Sequence, residues 1–193
     1  MTSRLIIGLI VSVLIGSVSS TVSAASDPTN FLFRKLSFSS AENDQLFRKT
    51  IDKVDALEFE EAGANSNSLV ANVEADNRID GLTFARVLAN AAIIYAQLEQ
   101  PEVALELLNR SVSLVEEESV FHEDIYPLMM VKAQILIKQG KLAEAIDQLR
   151  RAQHIIHRYG GVYSEQQSDV VDHIADINTT LQNHLEADRQ QLF

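Results

Sequence analysis

Histidines and clustered carboxylates are the side chains of this sequence whose types and spacing could do chemistry. His173 lies among Asp169, Asp172 and Asp176. On a helix these positions fall at i, i+3/i+4 and i+7, so they share one face. Carboxylates with one imidazole form a donor set that a divalent cation accepts. A metal-binding role for Asp169/Asp172/His173/Asp176 is therefore one alternative, beside the plainer reading of a solvated helix face. His154 and His157 are three apart, but no H-E-x-x-H motif accompanies them. No G-x-S-x-G elbow, Walker loop or dinucleotide fingerprint occurs, and seven glycines leave little room for a phosphate cradle. The sequence points to no catalysis and no cofactor.

Composition narrows the classes further. With no cysteine, disulfides, thiolate zinc sites and cysteine nucleophiles are excluded. With no tryptophan and few other aromatics, base-stacking platforms lack their material. The formal net charge of −11 repels phosphate backbones and anionic headgroups. No nucleic-acid partner is expected.

Residues 1–25 have the pattern of a secretory signal peptide. Arg4 is the positive start, Leu5–Ile15 the apolar run, and Val22-Ser23-Ala24 a small-residue cleavage pattern. The apolar run is shorter than the ~20 residues a spanning helix needs. An uncleaved anchor stays open as the alternative, but no stable membrane insertion is expected after cleavage. The expected destination is export, to the periplasm in a Gram-negative bacterium and otherwise secretion.

The positioning elements are helices. Leu142, Ala145, Ile146, Leu149, Ala152 and Ile156 recur at the 3.6-residue period, with Lys141, Glu144, Asp147 and Arg151 opposite. Gly140 ends the helix before them, because glycine enters the left-handed region without a Cβ clash. Ala133, Leu136, Ala145, Leu149 and Ala152 repeat the spacing of Ala92, Tyr95, Ala104, Leu108 and Ser111 at an offset of 41 residues. A fainter copy is Ala175, Asn178, Ala187 and Gln191. Self-similar helical hairpins at a fixed period predict an all-α solenoid.

On these residues the chain resembles the tetratricopeptide repeat family. The match is best at Lys138-Gln-Gly-Lys-Leu-Ala-Glu-Ala145, with Ala133-x2-Leu136 before it and Ala145-x3-Leu149-x2-Ala152 after. The period of about 42 exceeds the family's usual ~34 and is similar to kinesin-light-chain-like repeats. The early Trp and late Pro of the signature are absent. The resemblance implies a right-handed helical-hairpin solenoid over residues 80–193, with copies near 82–122, 123–163 and an incomplete 164–193. It also implies a concave groove that binds a protein or peptide partner, lined by the first helix of each pair. Those positions are Arg86, Asn90, Ile93 and Gln97, then Met130, Gln134, Ile137 and Lys138, then Asp169, Asp172, His173 and Asp176. Such a groove is acidic at its third copy and favours a basic segment there.

Residues 26–79 read as an irregular segment followed by a helix. Phe31, Phe33, Leu36 and Phe38 are too apolar for a free tail and suggest a cap over the first helices. Ser39 or Ser40 caps a helix expected to run to about Glu61. Gly63–Ser68 reads as a turn or linker by composition, and Leu69–Ala75 as either helix or loop. At Glu116–Glu118 a helix should fray or stop, because negative charge is unfavourable at its C-terminus. A helix from Glu165 to Gln182 is expected, then another from near Leu185. The apolar period still runs at Phe193, which suggests either a fragment of a longer array with a structural role or an open end that pairs with a second copy.

Overall fold

Side-chain spacing makes the helices, and small residues let them touch. The computed structural model describes residues 27–161 and 164–191. Among these are no strands, one short 3-10 turn at Pro28–Phe31, and seven α-helices. They are α1 (Ala41–Asp55), α2 (Phe59–Ala75), α3 (Gly81–Gln97), α4 (Pro101–Glu118), α5 (Ile125–Lys138), α6 (Leu142–Tyr159) and α7 (Glu165–Gln191). Sequential helices pack as the hairpins α1–α2, α3–α4 and α5–α6, with α7 laid on α6. Residues 1–25, expected from the sequence to be a signal peptide, and the terminal Leu192–Phe193 lie outside the described residues.

The two repeated stripes form the core. Ala92, Ala104, Leu108 and Ser111 of the first copy are buried, as are Ala133, Leu136, Ala145, Leu149 and Ala152 of the second. Alanines at these contacts let helix backbones approach, and larger side chains interlock around them. Ser111 satisfies its buried hydroxyl by donating to the Ala85 carbonyl at 2.7 Å, which ties α4 to α3. Local chemistry sets the helix ends. Asp80 accepts from the Thr83 N–H at 2.8 Å, and this bond holds its carboxyl below the usual range. Pro101 opens α4. Gly140 has φ +73° at the end of α5.

Three expectations are corrected. The first helix stops at Asp55 rather than near Glu61, because Leu57 turns left-handed at φ 60°. Its side chain is 72% exposed instead of joining the stripe. Lys53 bonds Glu58 and Glu61 across this turn. Gly63–Ser68 is helix, so residues 26–79 hold two helices and not one. The buried stripe of this helix is Ala62, Gly63 and Ser66, continued by Leu69 and Val73. A Cβ on Gly63 would stand 3.1 Å from Leu98 Cδ1, so α2 lies close against the α3–α4 corner. The helix expected to fray or stop at Glu116–Glu118 stops at Glu118, and Glu116 is paired with Arg151 of α6, which offsets its repulsion by the helix end.

The last correction concerns the C-terminal copy. Ser164 caps α7 as expected, accepting from Gln167 N–H at 3.2 Å. The helix then runs unbroken past Leu185 to Gln191, so this region is one helix and not a hairpin. Its packing stripe is Gln167, Val170, Ile174, Ile177 and Leu181. Ala175 and Asn178, aligned to packing positions by the repeat, face solvent.

Candidate functional site

The first-helix positions predicted from the repeat lie mainly on α3 and α5, and the chain's own residues 27–33 pack against these two helices. Residues 27–38, here called the strap, run as the 3-10 turn and then as extended backbone from Leu32, at φ −63° and ψ 133°. Asn90 of α3 brackets this segment. The Phe33 N–H donates to Asn90 Oδ1 at 2.8 Å, and Asn90 Nδ2 donates to the Phe33 carbonyl at 3.0 Å. A primary amide carries both a donor and an acceptor, so one side chain reads both backbone groups of one residue. Asn90 is 4% exposed beneath this contact.

Neighbouring groove residues complete the seat. Gln97, the last residue of α3, donates from Nε2 to Asp27 Oδ1 at 2.8 Å. Arg86 sits 5.6 Å from the Phe33 ring centroid and also bonds Asp124 at the start of α5, Nε to Oδ2 at 2.7 Å. The Arg86 charge is thus shared between an aromatic face and a buried carboxylate. Phe31 meets Tyr126 of α5 edge-to-face at 6.1 Å and 78°. Leu32 is buried in the main apolar cluster. Burial pushes the Tyr126 hydroxyl up to about 12, helped by the Asp169 charge.

The other predicted positions are spread apart. Ile93, Met130 and Gln134 are each 1% exposed and belong to the buried layer below the groove surface. Ile137 is half-buried and packs against the core. Lys138 is exposed at the end of α5, beside a cleft of about 300 Å³ lined by Ala96, Glu99, Pro101 and Ile135. Asp169 and Asp172 are exposed, and His173 and Asp176 half-buried, on α7. The structure therefore brings Arg86, Asn90 and Gln97 together on the strap and leaves Lys138 outside that contact. Asp169 approaches closely enough to act on Tyr126.

The metal alternative is corrected. Among the described residues, no group of three or more histidine, aspartate or glutamate side chains is placed to hold an ion. Positions i to i+7 on a straight helix rise ~1.5 Å per residue, so their side chains run parallel and do not converge. His173 instead turns its Nδ1 to the Asp169 carbonyl at 2.7 Å. His154 meets Phe121 in a tilted ring contact at 5.8 Å and 45°, with Arg158 at 4.1 Å from the same Phe121 ring.

Two contributors were not legible from the repeat. Tyr126 and Asp124 precede the aligned stripe of α5, and neither holds a repeat-signature position. Phe31 and Phe33 did signal themselves, as apolar residues in a segment without a helical period. Their expected place was over the first helices; in the structure they lie on α3 and α5, while Phe38 reaches α1 at Phe47.

No family model matches the chain, and no curated protein matches it in sequence. Among solved structures it is similar to SycD of Yersinia enterocolitica, described as a type III secretion translocator chaperone. That match has a TM-score of 0.59 and 17% identity, and covers 76% of this chain and 90% of SycD. It is also similar to BtubC (BKLC) from P. vanneervenii, with a TM-score of 0.64 and 15% identity, covering 77% of this chain and 58% of BtubC. At these identities the likeness shows the fold alone, and that fold is an all-helical repeat array.

Proposed function

We propose that this chain is an exported helical-repeat module that binds a protein partner as an extended segment on the face of α3 and α5, without catalysis. The observation that carries this reading is the Asn90 bracket on Phe33. Bonds to backbone N–H and C=O do not depend on side-chain identity, so a groove that makes them accepts extended polypeptide as a class. Edge contacts and the shared Arg86 charge then supply selectivity. The likeness to a chaperone of secreted translocators supports a protein ligand. Export rests on the leader pattern of residues 1–25. The exposed carboxylates Asp169 and Asp172 of α7 favour a partner with basic residues on that side.

The test places a photo-crosslinking amino acid at Gln97 of the full chain in its native host. The expected result is a covalent adduct with a discrete protein in the exported fraction, mapped to one extended segment, and its loss when Asp169 and Asp172 are reversed to lysine. Adducts confined to the chain's own residues would sink the proposal. Retention of the protein in the cytosol would sink export alone.

A further inference from the structure

The strap does more than cover apolar surface, because it makes the bonds a bound peptide would make. Its polar and ring contacts there are of ligand type: the Asn90 bracket, the Gln97–Asp27 bond, the Phe31–Tyr126 edge contact and Phe33 beside Arg86, with Leu32 buried in the main apolar cluster. Its second anchorage lies elsewhere. Arg34 forms a two-bond ion pair with Asp55 of α1, at 2.9 and 3.1 Å, and both side chains are about half exposed. Phe38 donates its N–H to Asp44 and packs on Phe47.

These two anchorages belong to different apolar clusters. Leu32 joins the main cluster, whereas Phe38 joins a smaller one with Phe47, Leu69, Val73 and Val87. Between them, Arg34 and Lys35 are exposed beside a cavity of about 330 Å³ that also touches Phe33 and Arg86. Arg34 and Phe38 thus hold the second half of the strap on α1 through contacts separate from those of residues 27–33.

We infer that the strap is a resident competitor for the α3–α5 groove, and that the partner segment which displaces it shares its chemistry. That chemistry is an extended peptide with a carboxylate four residues before an aromatic–aliphatic–aromatic triplet, as in Asp27 and Phe31-Leu32-Phe33. The carboxylate meets the Gln97 amide, the first ring meets Tyr126, and the residue at the second ring meets Asn90 and Arg86. This inference rests on the groove reading above and adds what the groove selects and what guards it. The apparent affinity of such a partner falls by the fraction of molecules whose groove is open.

The test uses the full chain and a fluorescent synthetic peptide of residues 27–35. Wild type should bind it weakly. Phe31→Ala with Arg34→Ala weakens the strap without altering a groove residue, and should tighten binding about tenfold. Adding Asn90→Ala to that variant should abolish the gain. In wild type, the peptide should also remove hydrogen-exchange protection from the Phe33 amide, a readout independent of variant folding. Equal affinity for wild type and the strap variant, with Phe33 still protected, overturns the competitor. No peptide binding to any form, while Gln97 still crosslinks a partner, also overturns it and leaves the groove reading standing. Peptide exchange that needs Asn90, without any crosslinked partner, supports a displaceable strap and defeats the partner reading.

Discussion

Asn90 and Phe33, fifty-seven residues apart in sequence, exchange a donor and an acceptor in both directions across the α3 face. This reciprocal pair fixes the register of the strap, because a shift by one residue would present the wrong backbone groups to the amide. It also explains a buried asparagine in a helix otherwise lined with alanine, leucine and isoleucine. A buried amide is costly unless both its groups are satisfied.

Asn90→Ala should destabilise the protein by about 1–3 kcal/mol, since two backbone groups of Phe33 lose their partners. Asn90→Asp keeps the acceptor for the Phe33 N–H but sets a carboxylate against the carbonyl, and should not restore the loss. Chemical denaturation measures both. Wild-type stability in either variant would show that the bracket contributes nothing.

Asp124 is 6% exposed and holds Arg86 by two nitrogens. Asp124→Ala leaves the guanidinium beside Phe33 without its carboxylate. Because Arg86 keeps partial contact with water, the loss should be about 2–3 kcal/mol, at or below the range for a fully buried pair. Double-mutant cycles with Arg86→Met should recover part of it, and a strictly additive cycle would refute the coupling.

Two left-handed residues should respond oppositely. Gly140, at φ +73°, has open space where a Cβ would go, so Gly140→Val meets backbone strain alone and should lose about 1–2 kcal/mol. Leu57, at φ 60° and well exposed, already carries such strain. Leu57→Gly should raise stability by about 0.5–1 kcal/mol, the strain relieved less the entropy glycine adds to the unfolded chain. Thermal melts of the two variants moving in the same direction would contradict the backbone argument.

Tyr126 should make stability depend on alkaline pH. Its hydroxyl titrates near 10.0 when unfolded and is pushed up to about 12 in the fold, by burial first and then by Asp169. The folded state holds the proton more tightly, so this contribution is complete below pH 10 and fades as pH rises toward 12. Phenolate absorbance should show one late-titrating tyrosine that disappears in Tyr126→Phe. Asp169→Asn should bring its midpoint down. An ordinary midpoint in wild type would refute the burial.

The sequence alone determined the two central hairpins. Periodic stripes from Ala85 to Ile156, the Asp80 cap, Pro101 and Gly140 are local signals, and each works through its own backbone or through neighbours three or four residues away. Asn90 and Gln97 could be singled out because the repeat assigns them one face of α3, the face on which the strap lies. Tertiary structure alone decided what occupies that face. The strap has no helical period, and its partners lie far along the chain, so no local pattern could name Asn90 as the partner of Phe33. The same limit applied to Gly63–Ser68. Small polar residues favour a linker by composition, yet the segment is helix here, with Gly63 and Ser66 buried and Gly63 set close against Leu98 of the next hairpin. At α7 the repeat pattern itself misled, since its faint register put Ala175 and Asn178 at the contact. The deeper apolar fit of Val170 and Ile177 set the face instead, because burying branched aliphatic side chains removes more surface from water than burying an alanine and an asparagine.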